Sequence, residues 1–141
     1  MKMMEAGPQK DAQGNNLSGF TKKEFTIPVN PSIAQREFPM FMSSSSKFGF
    51  TYMITRSGML YVYDIGSAYS IYQVNVCNSG CFAMAHAING EVVLAATDGY
   101  VYKLDIDENQ IVDFIMSRLG KSDAAFKLAM RANLKGADQL F

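Results

Sequence analysis

The chain carries no tryptophan, a single histidine and only two cysteines, and its charges cancel, with 13 Lys and Arg against 13 Asp and Glu in 141 residues. Balanced charge provides no field to draw it onto nucleic acid or an anionic membrane, so nucleic acid is not an expected partner. No apolar run approaches the roughly 20 residues that span a bilayer, and the opening "MKMMEAGPQK" lacks the apolar core of a secretory signal. Cys77 and Cys81 read as free thiols of a reducing compartment, which points to the cytosol. Glycine-rich phosphate loops are missing, and so is a G-x-S-x-G elbow that could make a nucleophile of the serine run at 43–46. Cys77, Cys81 and His86 supply three zinc-type donors where a structural site wants four, so core packing is the expected role of the thiols. The expectation is therefore no catalytic residue, no cofactor and no metal. Ten methionines carry no functional reading.

What the sequence does have is a repeat. "TRSGMLYVYDI" (residues 55–65) returns 41 residues later as "ATDGYVYKLDI" (96–106), agreeing at Gly58/Gly99, Tyr61/Tyr102, Asp64/Asp105 and Ile65/Ile106. At the same offset Phe41 of "PMFMSSS" falls on Phe82. Each copy runs through a β-rich stretch ("FGFTYMIT", "EVVLAAT"), a turn at Ser57-Gly58 or Asp98-Gly99, and a second stretch ("MLYVYDI", "YVYKLDI"). A small polar residue followed by glycine between such runs is hairpin chemistry, because glycine takes positive φ without steric cost. "IYQVNV" (71–76) supplies a fourth strand to the first copy. Four short antiparallel strands on a period of about 40–45 residues mark a β-propeller blade. Upstream, "KMMEAG" reads as the tail of a strand, "PQKDAQGNNLSG" as a polar loop, and "KKEFTIPV" as a strand with Phe25, Ile27 and Val29 on one face. These are the last strands expected of a preceding blade. Tyr61, Tyr63, Tyr100 and Tyr102 could stack bases on a strand surface, but neutral charge favours core packing and cross-strand pairing.

The second copy has no fourth strand in the expected place. Ile111, Phe114, Ile115 and Leu119 recur instead at i, i+3, i+4 and i+8, which is helical spacing. Asn109 is the expected N-cap, Gly120 the stop and Ser122 the next N-cap, with Phe126, Ala129 and Met130 facing inward from a second helix that ends near Gly136. Short paired helices of this kind stack into an α-solenoid. The expected fold is mostly β with α: a partial β-propeller of about two and a half blades (1–107), followed by short α-solenoid helices (108–141). A closed propeller needs four or more blades, so the chain is expected to be a segment of a larger protein.

"LAMRANLKGADQLF" (128–141), with Ala129, Arg131, Asn133, Leu134, Gly136, Ala137, Leu140 and Phe141, resembles the clathrin heavy chain family. "AQREFP" (34–39), "MITRSGMLYVYDI" (53–65) and Ile71-Tyr72 follow that family's order and spacing. The resemblance covers about 20–141 and weakens in the loops and around 77–86. It implies the end of the family's seven-bladed N-terminal propeller and the start of its helical linker. The last blade there is closed by a strand from the protein's own N-terminus, which agrees with the missing fourth strand here. It further implies a structural, non-catalytic subunit of the clathrin vesicle coat, acting in endocytosis and intracellular protein transport. The propeller of that family reads short linear motifs in adaptor proteins, while the helical leg builds the lattice with light chains and other heavy chains. Localisation is then the cytoplasmic face of coated pits and vesicles, peripheral to the membrane through adaptors. The family's best-known adaptor groove lies between its first two blades, outside this chain, as do its trimerisation and light-chain segments. A further peptide site near the last two blades has a basic turn corresponding to Ala96-Thr97-Asp98, where Thr97 replaces an arginine and Asp98 a lysine, so that site is not carried over. Arg131 and Asn133 are expected to hydrogen-bond between helices, Asn as a cap and Arg on carbonyls. Two alternatives stand beside this reading. Another propeller-plus-solenoid coat or tethering scaffold would not share "RANLKGADQLF", and a propeller-bearing enzyme subunit would need titratable residues converging at one end of the blades.

Overall fold

The computed structural model describes residues 2–4, 10, 12–15, 22–24, 31–32, 34–86 and 90–134. Strands β1 (Lys2–Met4) and β2 (Lys22–Glu24) pair antiparallel. Phe25, Ile27 and Val29 lie outside the described residues. Strands β3 (Pro39–Ser45), β4 (Phe50–Thr55), β5 (Met59–Asp64) and β6 (Ser70–Asn75) form a four-stranded antiparallel meander. Strands β7 (Cys81–His86), β8 (Val92–Ala96) and β9 (Val101–Leu104) form a three-stranded one, with β7 alongside β3. The two repeat copies are thus successive blades. Their shared turn is set by glycine. Gly58 has φ 84° and donates its N–H to the Thr55 carbonyl at 3.0 Å, and Gly99 has φ 89° and donates to the Ala96 carbonyl at 3.1 Å.

Where β6 stands in the first copy, the second turns helical. Helix α1 (Ile111–Asp113) continues into a π-helical segment (Phe114–Arg118) and is followed by α2 (Ser122–Ala132). The fold is a mostly β, partial propeller followed by helices. The caps sit one residue from their expected places. Both Gln110 and Ile111 donate to the Asp107 carbonyl, at 3.1 and 3.0 Å, so a turn at Asp107 opens α1 and makes Gln110 its cap. Ala125 donates to the Lys121 carbonyl at 3.0 Å, making Lys121 the cap of α2 in place of Ser122. Gly120, at φ 61°, ends the first helical segment as expected. Helix α2 stops at Asn133, left-handed at φ 51°, where Asn133 and Leu134 both donate to the Ala129 carbonyl. Asparagine tolerates that conformation. The expected end near Gly136 falls outside the described residues.

The repeat slips in its first strand. Phe41 pairs with Ile54 and Ala83 with Ala95, so the second strands are related by 41 residues and the first strands by 42. Phe82 is therefore not the counterpart of Phe41. It matches Met40, since both sit where the ladder shifts register, and Phe82 is 62% exposed while Phe41 packs against the core. The offset between the copies thus changes by one residue from the second strands to the first, and a one-residue shift turns a strand's side chains over.

One buried cluster joins both sheets to both helical segments: Phe50, Tyr52, Leu60, Val62 and Leu94 pack with Ile115 and Leu128. Ala124, Ala125, Leu128 and Ala129 form the docked stripe of α2, three alanines that allow close approach to the sheet around one large anchor, Leu128. Met130, expected to face inward, is 57% exposed, and Phe126 is only half-buried. At 3.6 residues per turn Met130 lies about 170° around the helix from the middle of that stripe. The opposite face of the first blade buries Met53, Tyr61 and Tyr63, with the two tyrosine rings stacked at 6.1 Å. Tyr100 departs from the core expectation, being 69% exposed, because β9 is an edge strand among the described residues.

Candidate functional site

An open groove of about 440 Å³ lies between the outer strands of the first blade and the passage from β9 into α1. Val62 and Ile71 come from the first blade, Leu104 and Ile106 from the end of the second, and Phe114 from the π-helical segment. Tyr72 projects at its rim, 45% exposed, with its ring edge-on to Phe114 at 6.4 Å. Asp105 and Asp107 supply carboxylates to the mouth.

The Ala96-Thr97-Asp98 turn sits at the tip of the β8–β9 hairpin. Thr97 donates its hydroxyl to the Ser79 carbonyl at 2.6 Å and its N–H to the Gly80 carbonyl at 3.0 Å, tying the tip to the blade-to-blade connection. The Asp98 carboxylate accepts from the Tyr100 N–H and the Tyr102 hydroxyl, both at 2.9 Å. That hydrogen bond, ahead of burial and the Asp98 charge, raises the Tyr102 phenol above its ordinary pKa. An acidic peptide at this turn would meet the Asp98 carboxylate.

The docking of α2 rests on a polar contact that sequence spacing does not reveal. Arg131 donates from Nη2 to Asp64 Oδ1 at 2.7 Å, and Asp64 Oδ2 accepts the Ser67 N–H at 2.7 Å and the Ser67 hydroxyl at 2.6 Å. Asp64 is buried, and its partner lies 67 residues away. Arg131 thus grips the blade instead of helix carbonyls, contrary to the expectation. The guanidinium covers Gly49, where an added Cβ would come within 2.4 Å of Arg131 Cζ. Lys121 adds its ammonium over the Tyr69 ring at 4.5 Å. Asn133 does serve as a cap, through its left-handed backbone.

Cys77 and Cys81 are buried with their sulfurs 3.4 Å apart, packed in the shared core. Burial, and next the S–H contact with Cys77, pushes the Cys81 thiol up to about 12. His86 ends β7 at the opposite end of the strand from Cys81. Among the described residues no three His, Cys, Asp or Glu side chains gather in an arrangement that could hold a metal ion.

No protein-family model matches the chain. Curated relatives do. It is 34% identical over 131 residues, 92% of its length, to the clathrin heavy chain of Drosophila melanogaster. Over 123 residues, 86% of its length, it is 34% identical to clathrin heavy chain 1 of Oryza sativa subsp. japonica and 32% identical to clathrin heavy chain 2 of Homo sapiens. The chain spans about 7–8% of the length of these relatives. Shared sequence across animals and plants, over two successive blades and the helices that follow them, makes this chain a homologue of one stretch of the clathrin heavy chain and a member of that family.

Proposed function

We propose that this chain serves as structural material of a clathrin vesicle coat, with residues 1–107 as closing blades of the propeller and 108–141 as the start of the linker toward the leg. The observation that carries the reading is the shared sequence over 92% of the chain. Supporting it, α2 is docked onto the blade through a common core and the Arg131–Asp64 pair, which is how a joint transmits orientation. In this role the partners are adaptor proteins, through short linear motifs, with light chains and other heavy chains meeting the protein elsewhere. The work is binding and scaffolding in endocytosis and intracellular transport, on the cytoplasmic face of coated pits and vesicles. No helix of the described residues is long and apolar enough to cross a membrane, and attachment through adaptors requires none.

Two experiments test this. In the first, residues 20–141 replace the corresponding stretch of a clathrin heavy chain. Closed cages seen by negative-stain electron microscopy are expected, and a folded chimera unable to form cages overturns the scaffold reading. In the second, fluorescence anisotropy with a labelled leucine-rich clathrin-box peptide should show no saturable binding up to millimolar peptide, because the family's groove for it lies between earlier blades. Micromolar binding that is lost when the peptide's leucines become alanine would place this stretch elsewhere in the propeller.

A further inference from the structure

The connection between the two blades begins and ends in cysteine. Cys77 follows β6 and Cys81 opens β7, their sulfurs 3.4 Å apart inside the shared core. Asn78 and Ser79 between them are exposed, and Gly80 takes φ 86°. Both ends of this short loop are held. The Cys77 carbonyl sits so close over Gly58 that an added Cβ would lie 1.7 Å from its oxygen, and Val76 donates to the Gly58 carbonyl at 2.9 Å. At the other end Thr97 holds the Ser79 and Gly80 carbonyls. The two hairpin turns of successive blades thus grip the same loop from either side. A disulfide needs its sulfurs about 1.4 Å closer than they are here.

We propose that Cys77 and Cys81 form a thiol–disulfide redox site that, on oxidation by glutathione disulfide, locks the connection between the two blades. In the first step Cys77 loses its proton to solvent and its sulfur attacks one sulfur of glutathione disulfide, releasing one glutathione thiolate and leaving glutathione bonded to Cys77. In the second, Cys81 loses its proton to solvent and attacks the Cys77 sulfur, forming the internal disulfide and expelling the second glutathione. Two protein thiols are oxidised and one glutathione disulfide is reduced to two thiols. Cys77 adjoins the exposed Asn78 while Cys81 follows the buried Gly80, so Cys77 meets the oxidant first and Cys81, its sulfur 3.4 Å away, resolves. Both cysteines are buried, so the oxidant reaches them when the exposed Asn78-Ser79 segment opens locally. Disulfides of reducing compartments are mostly transient and redox-sensing, which suits a reversible site.

The test incubates the full chain, shown folded by circular dichroism, in glutathione buffers of stepped ratio, then quenches with acid, alkylates and maps by peptide mass spectrometry. The expected product is an intramolecular Cys77–Cys81 disulfide whose yield follows the glutathione ratio and reverses with dithiothreitol. Oxidation should also slow protease cleavage of the 77–81 loop several-fold. C81S should stop at a glutathione adduct on Cys77, and C81A replaces it if C81S does not fold. Thiols that stay reduced in the folded chain but oxidise once it is unfolded in urea would overturn the proposal and leave a packing pair. Stable glutathione adducts on the wild-type chain, or disulfides joining two chains, would overturn it equally.

Discussion

Gly58 and Gly99 hold the same backbone conformation, φ 84° and 89°, yet their surroundings differ. Nothing lies within 4 Å of a Cβ placed on Gly99, whereas one on Gly58 meets the Cys77 carbonyl at 1.7 Å. Gly99→Ala should therefore cost only the backbone term, about 1 kcal/mol. Gly58→Ala adds a collision with main chain that cannot swing aside, and should cost at least twice as much. Urea denaturation of the two variants checks this, and equal losses would mean that the Gly58 turn does not clamp Cys77. Tyrosines carry a second prediction at this scale. Burial, with Asp105 as a lesser cause for Tyr52 and Tyr61 for Tyr63, pushes both phenols from 10 up to about 12. A raised folded pKa means that the stability these neutral phenols confer is fully present below pH 10 and is lost as pH rises from 10 through 12. Tyrosinate absorbance from these buried rings should appear together with loss of circular dichroism. Tyrosinate formation by Tyr52 and Tyr63 in a fully folded chain near pH 10 would contradict it.

Helix α2 meets the blade through a narrow stripe of small side chains and one ion pair, and each part has its own signature. Removing the guanidinium leaves a buried carboxylate with only the Ser67 donors, so Arg131→Leu should destabilise by about 2 kcal/mol. Arg131→Leu combined with Asp64→Leu should cost less than the sum of the singles, giving a coupling of about 1 kcal/mol or more. Additive losses would show that the contact is surface decoration. Along the stripe, Ala125 is fully buried and Ala125→Leu should overpack by about 1–3 kcal/mol. Met130→Ala, on the exposed side, should stay within about 0.5 kcal/mol. The reverse order would restore the inward-facing placement of Met130.

For the molecule as a whole, the open features lie at sheet edges. Strand β9 is an edge among the described residues, and Tyr100 just before it and Val101 at its start are 69% and 68% exposed. The first strands of the two sheets carry further uncovered apolar groups, Met42 on β3 at 66% and Phe82 on β7 at 62%. Edges of this kind pair with other chains unless charge or cover prevents it. Sedimentation velocity should accordingly show association that grows with concentration, and Val101→Lys should reduce it. A monomer at all concentrations, unfolding cooperatively, would mean that these edges are not accessible to a partner.

The sequence by itself determined the local architecture. A 41-residue period, a polar-glycine pair at each hairpin and the change from alternating to helical spacing after Ile106 reflect φ/ψ preference and side-chain periodicity, which act within a few residues. The family was legible for a related reason, because "LAMRANLKGADQLF" is a contiguous string. The slip that places Ala83, not Phe82, opposite the second strand was hidden, since it depends on the register in which the first strand pairs with the second. So was the face of α2, where the choice between Leu128 and Met130 waited on a sheet to dock against. The Asp64–Arg131 pair and the contact between Cys77 and Cys81 also belong to tertiary structure. Asp64 and its repeat counterpart Asp105 read identically in sequence, but Asp64 is buried and paired with Arg131 of α2 while Asp105 stays exposed, a difference that tertiary packing makes.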